Sequence, residues 1–312
     1  MKIGFIGNFQ VPFSTESHRK ISFEELGHEV VTFQENLTNI DKLHEASKNG
    51  IDVFFYSHTH GWEIPHLKSF FKACKLNGTP TVSVHLDRWA WLDRVKDVGK
   101  EATWFTEYLF MADGSPEAVE LYEKLDLNWH FLKPGVLKKE CYIATPDHIK
   151  YPHEIVFTGS DGYHKEYPFR PQLVQWLKDT YGDRFGHYGG SGYPTLRGHE
   201  LNVLYSTSKV VIGDSCFGGR PFYVSDRYFE VRGRGGVLMH PLTEGFDGAG
   251  VVFYKGLEDL KIQIDILLDD EHLTDSLREI GHEQVRDHEN YTVRAKEMLD
   301  VIFNHAEDIK SN

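Results

Sequence analysis

Cysteine is scarce: Cys74, Cys141 and Cys216 are widely spaced and odd in number. Such a set builds neither a disulfide framework nor a zinc site, which points to a reducing compartment. No apolar run approaches the roughly 18 residues a membrane span needs, and MKIGFIGNF leads straight into strand-like sequence. The expectation is a cytoplasmic protein without stable membrane insertion. Positive charge is also short, with 34 Lys and Arg against 47 Asp and Glu, a net charge of -13. That balance argues against a general polyanion binder, because neutralising phosphates requires a cationic excess.

Several motifs are missing as well. There is no G-x-x-x-x-G-K-[ST] phosphate loop, and IGFIGNF supplies G-x-x-G, short of the dinucleotide fingerprint, so a Rossmann oxidoreductase fits only weakly. No two aspartates flank a single residue. Without a D-x-D pair, the metal-dependent way of holding a nucleotide-sugar diphosphate has no acids to use, and arginine, lysine and helix N-termini must serve instead. His58 and His60 in SHTHGWE, with His66 nearby, lack the i, i+4 spacing of a helical metal site. No metal is expected there. They close a strand and can line a ligand crevice.

What is present is alternation. The 312 residues, 40% hydrophobic, are enough for two ordinary cores. Strand-like runs at 2–7, 28–33, 52–58, 79–85 and 108–114 alternate with helix-like segments at 14–26, 66–76 and 116–124, the first capped by Ser14 or Thr15 and stopped by Gly27. Residues 131–154 carry three prolines and no period, as a connector does. Strands then resume at 154–160, 185–189, 209–215, 235–240 and 250–254, and three helices are expected after Leu257. The class is α/β with parallel, doubly wound sheets, which bind ligands at the strand carboxyl ends.

Two stretches of the second half carry anion chemistry. In TGSDGYHKEYPFR (158–170), Gly159 and Ser160 leave a strand and Lys165 and Arg170 follow. Small residues let backbone N–H groups approach an anion, although an ordinary βα turn with surface cations fits equally well. In SDRYFEVRGRGGVLMH (225–240), Ser225 is placed to cap a helix, with Arg227 and Glu230 on one face. Arg227 would meet a diphosphate and Glu230 would accept two hydrogen bonds from a ribose diol. The competing account is an intrahelical pair of Glu230 with Arg234.

Taken in order, GSDGYHKEYPFR, HYGG, LNVLYSTSKVVIGDS, SDRYFEVRGRGGVLMHP and ENYTVRAKEML resemble the carboxyl-terminal half of CgeB-like glycosyltransferases, a branch of the group 1 family with the GT-B fold. NFQVPFSTESHRKISFEELGHEVVTF is similar to their opening. The resemblance implies two Rossmann-like domains facing a central cleft: an acceptor-side domain at 1–146, a nucleotide-sugar domain at 147–288, and a last helix, 289–312, packing back on the first. It implies a nucleoside diphosphate sugar as donor, a UDP-sugar such as UDP-glucose first among them, with no cofactor or metal required and retention of configuration. By position, Glu230 corresponds to the ribose-binding acid, Ser225 and Arg227 to its phosphate-side neighbours, and Gly159, Ser160 and Arg170 to the first donor loop. Tyr188 and Gly189 fall near the base, and His85 falls against the donor sugar. Group 1 enzymes often carry a second glutamate eight positions earlier; that position here is Phe222.

Positive charge at Arg170, Arg227 and Lys165 would stabilise the departing diphosphate. If the reaction inverts, Asp87 or Glu16 would deprotonate the acceptor. Asn8, Glu16, His58 and His60 are expected on the acceptor side. The acceptor itself, whether glycan, metabolite or modified DNA base, stays open, as does oligomeric state. For DNA there are the cations Arg88, Arg94, Lys96 and Lys100 with Trp89, Trp91 and Trp104, which also read as a solvated face and a core. A nucleotide-sugar-binding protein that has lost transfer, or a GT-B-fold sugar epimerase, would carry the same donor motifs.

Overall fold

The computed structural model describes residues 1–310 except His60, Tyr163 and Asp247, leaving aside the side chains of 304–310. In chain order the first elements are β1 (Lys2–Gly7), α1 (Thr15–Glu25), β2 (Glu29–Gln34), α2 (Ile40–Lys48), β3 (Val53–Tyr56), α3 (Leu67–Leu76), β4 (Thr81–His85), β5 (Tyr108–Met111), α4 (Pro116–Lys124) and β6 (Trp129–Phe131). They are followed by β7 (Ile155–Thr158), α5 (Phe169–Tyr181), β8 (Phe185–Tyr188), α6 (His199–Thr207), β9 (Val210–Ile212), α7 (Arg227–Gly233), β10 (Leu238–Pro241), β11 (Val251–Tyr254), α8 (Leu257–Asp269), α9 (Glu271–His288) and α10 (Tyr291–Lys310). The chain divides into two compact units, residues 1–133 with 291–312, and residues 134–290.

The first unit is a six-stranded sheet in the order β2-β1-β3-β4-β5-β6, parallel throughout. Its strands are apolar runs because both faces are covered. Ile3, Phe5, Val53 and Phe55 pack on one face with Phe23 of α1 and Ala295 and Met298 of α10. Ile6, Phe54 and Tyr56 pack on the other with Leu43 of α2 and Phe70 and Phe71 of α3. Helix α1 starts where expected, the Ser14 hydroxyl accepting the Ser17 N–H at 3.1 Å, a cap worth about 1 kcal/mol. Strand β6 was not expected. At three residues it is too short to show alternation, and it is held by pairing with β5 and by His130 stacked on Phe110 at 5.2 Å.

The second unit is a five-stranded parallel sheet in the order β11-β10-β9-β7-β8. Ile155, Phe157, Ile212 and Met239 pack with Leu173 and Leu177 of α5 and Leu260 and Ile264 of α8. Residues 134–146, expected with the first domain, belong here. Asn202 donates to the carbonyls of Glu140 and Tyr142 at 2.8 Å each, the Ala144 N–H reaches the Ser206 hydroxyl at 2.9 Å, and Arg234 pairs with the Glu140 carboxylate.

Each sheet has a point where the strand order reverses. In the first unit β1 lies between β2 and β3; in the second β7 lies between β8 and β9. Neighbouring connections leave such strands in opposite directions, which opens a crevice at their carboxyl ends.

Candidate functional site

In the second unit the reversal point is marked by glycine and arginine. Gly159 follows β7 with φ at +136°, a conformation that disfavours any side chain. A Cβ there would also stand 2.6 Å from the Arg227 Nη2. The guanidinium lies against the Phe157 ring, 5.5 Å from its centroid, and donates to the main-chain carbonyl of Asp214 at 3.1 Å. Among the described residues no carboxylate pairs with it. Arg227 thus presents an uncompensated positive charge over a glycine turn, between the ends of β7 and β9.

Surrounding groups hold that turn in place. Gly189, after β8, has φ at +108°, and a Cβ on it would meet the Gly159 carbonyl at 2.7 Å. The Gly159 N–H donates to Tyr188 O at 2.9 Å, and His187 Nε2 donates to Gly159 O at 2.8 Å. Asp161 accepts both the N–H and the hydroxyl of Ser191 at 2.6 Å, and these bonds hold its carboxyl below the usual carboxylate range.

The remaining expected donor residues divide. Glu230 is half-buried; among the described residues its carboxylate makes no hydrogen bond, and its nearest cation is Arg234 Nη2 at 3.8 Å. Arg234 is itself committed to Glu140 and to Asn202 Oδ1 at 2.7 Å, so the intrahelical pair leaves Glu230 available. Tyr205, hydrogen-bonded to Thr158 at 2.7 Å, reports that Glu230 and Arg227 share one neighbourhood: burial first, then the Glu230 charge, push its phenol up to about 12, while Arg227 acts in the opposite sense.

Arg170 is buried, its Nε donating to Asp214 Oδ2 at 2.8 Å while Tyr167 donates to Oδ1 at 2.7 Å. Asp214 therefore takes Arg170 on its carboxylate and Arg227 on its carbonyl. Ser160 and Lys165 are exposed. Tyr188 is buried, stacked on Tyr193 at 5.0 Å, with its hydroxyl at 2.9 Å from His153 Nδ1.

Ser225 does not cap α7. The residue before the helix is Asp226, already at helical angles and without a side-chain cap, because the Ser225 carbonyl takes the Tyr228 N–H and starts the winding a residue early. Ser225 instead joins a relay in which its N–H donates to Ser215 Oγ at 3.0 Å and that hydroxyl donates to His240 Nε2 at 2.8 Å. Also in this unit, a cavity of about 340 Å³ is lined by Tyr167, Phe169, Gly219, Pro241, Tyr254 and Lys255. Its size falls within the range of small-molecule sites.

In the first unit the reversal point gathers acids and histidines. Glu16 is raised above its ordinary value by burial, and a Cβ on Gly7 would meet its Cγ at 2.8 Å. His58 Nδ1 lies 2.6 Å from Oε1 of Glu35, whose side chain is fully buried, and Glu35 also accepts from the Tyr56 hydroxyl and the Thr59 N–H at 2.8 Å each. Glu35 was not expected at a site; it follows the carboxyl end of β2, and no local pattern joins it to its partners. His60 lies outside the described residues. Asn8 is spent on its own turn, its side chain accepting from the Gln10 N–H at 3.2 Å and its carbonyl from the Ser14 hydroxyl at 2.8 Å.

His85 ends β4, its ring lowered to about 4 by burial and therefore neutral near pH 7. The Asp87 N–H and the Trp89 indole N–H both approach its ring nitrogens at 3.1 Å, whereas a neutral imidazole has one lone pair to offer. Asp87 pairs with Arg94 at 3.2 Å. Of the cation and tryptophan set, Arg88 is buried with Asp113 at 3.4 Å, Arg94 folds onto the Arg88 carbonyl, and Trp89 and Trp104 are buried. Among the described residues no cluster of three or more His, Cys, Asp or Glu could hold a metal ion, and no helix is long and apolar enough to cross a membrane.

Residues 170–300 match the family model described as glycosyl transferase-like. No curated protein matches the chain in sequence. Among solved structures, the N-terminal domain of trehalose-6-phosphate phosphatase from Candida albicans is similar with a TM-score of 0.59 at 8% identity, over 96% of both chains. An α1,3-fucosyltransferase is similar at 11% identity over 89% of this chain and 80% of its own, with a TM-score of 0.48. A UDP-glucosyltransferase from Polygonum tinctorium is similar at 10% identity over 96% and 98%, with a TM-score of 0.41. Residues 170–300 are thus the glycosyl transferase-like part of a chain whose two units are α/β with parallel sheets.

Proposed function

We propose that the protein transfers a sugar from a nucleoside diphosphate sugar, a UDP-sugar first among the candidates, to an acceptor hydroxyl. The observation that carries this reading is Arg227, a cation without a carboxylate partner among the described residues, set over the Gly159 turn at the reversal point of the second sheet. Breaking the anomeric C–O bond builds negative charge on the departing diphosphate, and a preorganised guanidinium beside N–H groups stabilises that charge without reorganising. On this reading side-chain cations, not a metal, neutralise the diphosphate. Glu230 accepts hydrogen bonds from the ribose diol, and the neighbouring cavity gives the donor an aromatic wall. Arg170 acts through Asp214, fixing the loop whose carbonyl holds Arg227.

The test is a thermal-shift and calorimetric screen of UDP, GDP, ADP and dTDP with their sugars, on the native protein and on Arg227→Ala and Glu230→Ala. Stabilisation by one nucleotide, lost in both variants while each remains folded, is the expected result. Binding that ignores both substitutions sinks the proposal.

A further inference from the structure

The turn at Gly159 rests on a histidine whose two ring nitrogens both face acceptors. His187, on β8, is buried, its ring edge-on to Phe157 with centroids 5.5 Å apart. Nε2 lies 2.8 Å from the Gly159 carbonyl oxygen, which only accepts, so that nitrogen carries a proton. Nδ1 lies 3.5 Å from Asp161 Oδ1, is sealed from solvent and makes no hydrogen bond among the described residues. With a single proton on the ring, Nδ1 is a bare lone pair beside a carboxylate. A second proton turns that conflict into an ion pair.

The surroundings keep the carboxylate in place. Asp161 accepts the N–H and the hydroxyl of Ser191 at 2.6 Å each, which clips the loop after β7 to the loop after β8. Gly190 in the second loop has φ at +58°, and a Cβ on it would collide with Asp161 Oδ2. The Ser191 bonds first, then the charges of His187 and Lys178, hold the Asp161 carboxyl below the usual range, so it stays an anion at neutral pH. On the far side, Arg227 borders the same Phe157 ring, its guanidinium carbon 5.5 Å from the centroid. The turn therefore lies between a permanent cation and an imidazole that becomes one on protonation. Like charges oppose one another at such range, so in the empty protein Arg227 disfavours the second proton on His187. A diphosphate over the turn offsets Arg227 and adds negative charge of its own, which reverses that bias.

We propose that His187 is a positioning residue for the donor, and that binding of a diphosphate over the Gly159 turn is coupled to uptake of a proton at His187 Nδ1. This inference rests on the glycosyl-transfer reading above and lies wholly within the second unit. A proton leaves the solvent and joins the Nδ1 lone pair; no other bond forms or breaks. The imidazolium then donates to the Gly159 carbonyl from one nitrogen and to Asp161 from the other, fixing the turn and both loops at once. The charged groups about the ring are Asp161 after β7, Arg227 on α7, and Lys178 on α5, which acts through Asp161. Coupling is reciprocal, so affinity for the nucleotide falls as pH rises, by as much as about tenfold per pH unit.

The probe is whichever of UDP-glucose, GDP-mannose and dTDP-glucose gives the largest thermal shift. The phosphates of these diesters hold no titrating proton near pH 7, so a proton taken up goes to the protein. Calorimetry at one pH in two buffers of different ionisation enthalpy is expected to show uptake of a fraction of a proton per nucleotide, with affinity falling from pH 6 to pH 8. His187→Gln keeps a donor for the Gly159 carbonyl but takes no proton, and is expected to lose both the uptake and the pH slope. Asp161→Asn removes the anion and is expected to reduce the uptake. NMR of the native protein carrying nitrogen-15 histidine, which needs no variant to fold, is expected to show one ring whose Nδ1 becomes protonated when nucleotide is added. Binding without proton uptake, uptake that persists in folded His187→Gln, or no histidine ring that gains a proton overturns the inference and leaves the transfer reading standing. If none of the three nucleotides binds, the transfer reading fails and the inference goes with it.

Discussion

Arg227 lies so close to Gly159 that a methyl group on the glycine would stand 2.6 Å from its Nη2. The two residues are far apart in sequence, yet the room for the guanidinium depends on position 159 having no side chain. Gly159→Ala would place a side chain at φ +136° and push the guanidinium off the turn. We expect a strain cost of about 1–3 kcal/mol in urea unfolding, with nucleotide affinity falling at least tenfold. Calorimetry on the folded variant separates the two effects, and undiminished affinity would detach Arg227 from the donor.

Asp214 supports the same arginine by a different route. Its buried carboxylate takes Arg170 and Tyr167, and its carbonyl takes Arg227. Asp214→Ala leaves the Arg170 charge buried without a partner, a loss of about 3–5 kcal/mol by urea unfolding. Because the Arg227 bond is to the main chain, nucleotide affinity of the folded variant should fall less than in Arg227→Ala. A larger fall would mean that Arg170 itself touches the donor.

The strand interiors of both sheets were legible because parallel strands buried on two faces read as unbroken apolar runs, as KIGFIG and VFFY do. Helix α4 was legible at both ends, since Ser115 and Pro116 start it and the apolar spacing carries it to Lys124. β6 had neither length nor period. Gly159 and Arg227 could be picked out because glycine in a βα turn and arginine on a short helix each have a local signature. Glu35 could not, since its partners Tyr56, His58 and Thr59 lie 21 to 24 residues away and no local pattern joins them. The commitment of Arg170 to Asp214, 44 residues apart, was hidden for the same reason.

The second unit should weaken in mild acid through His240. This buried ring donates from Nδ1 to the Pro241 carbonyl, accepts the Ser215 hydroxyl at Nε2, and is lowered to about 4 by burial. With a folded value below the unfolded 6.5, the unfolded chain binds a proton that the folded chain refuses, so stability falls as pH drops from 6.5 towards 4. For this one group the loss between pH 7 and pH 5 is about 2 kcal/mol. Urea unfolding of the native protein and of His240→Gln at the two pH values checks it. The variant, though less stable at pH 7, should lose less on acidification, and an equal loss would place the proton uptake elsewhere.

Glu230 gives the sharpest test of the donor geometry because the role proposed for it concerns two hydroxyls and no other part of the nucleotide. Its carboxylate is half-buried, free of hydrogen bonds among the described residues, and near Arg227 without pairing to it. A hydrogen bond to a charged group contributes about 1.5–3 kcal/mol, so removing the ribose 2′-hydroxyl should weaken binding to the native protein by roughly 10- to 100-fold. Calorimetry with UDP and 2′-deoxy-UDP measures that ratio. In Glu230→Gln it should shrink towards unity while the affinity for inorganic pyrophosphate, which the proposal assigns to Arg227, stays unchanged. If the ratio persists in the variant, another group reads the ribose; if pyrophosphate affinity falls as well, Glu230 acts by placing the helix and touches no sugar.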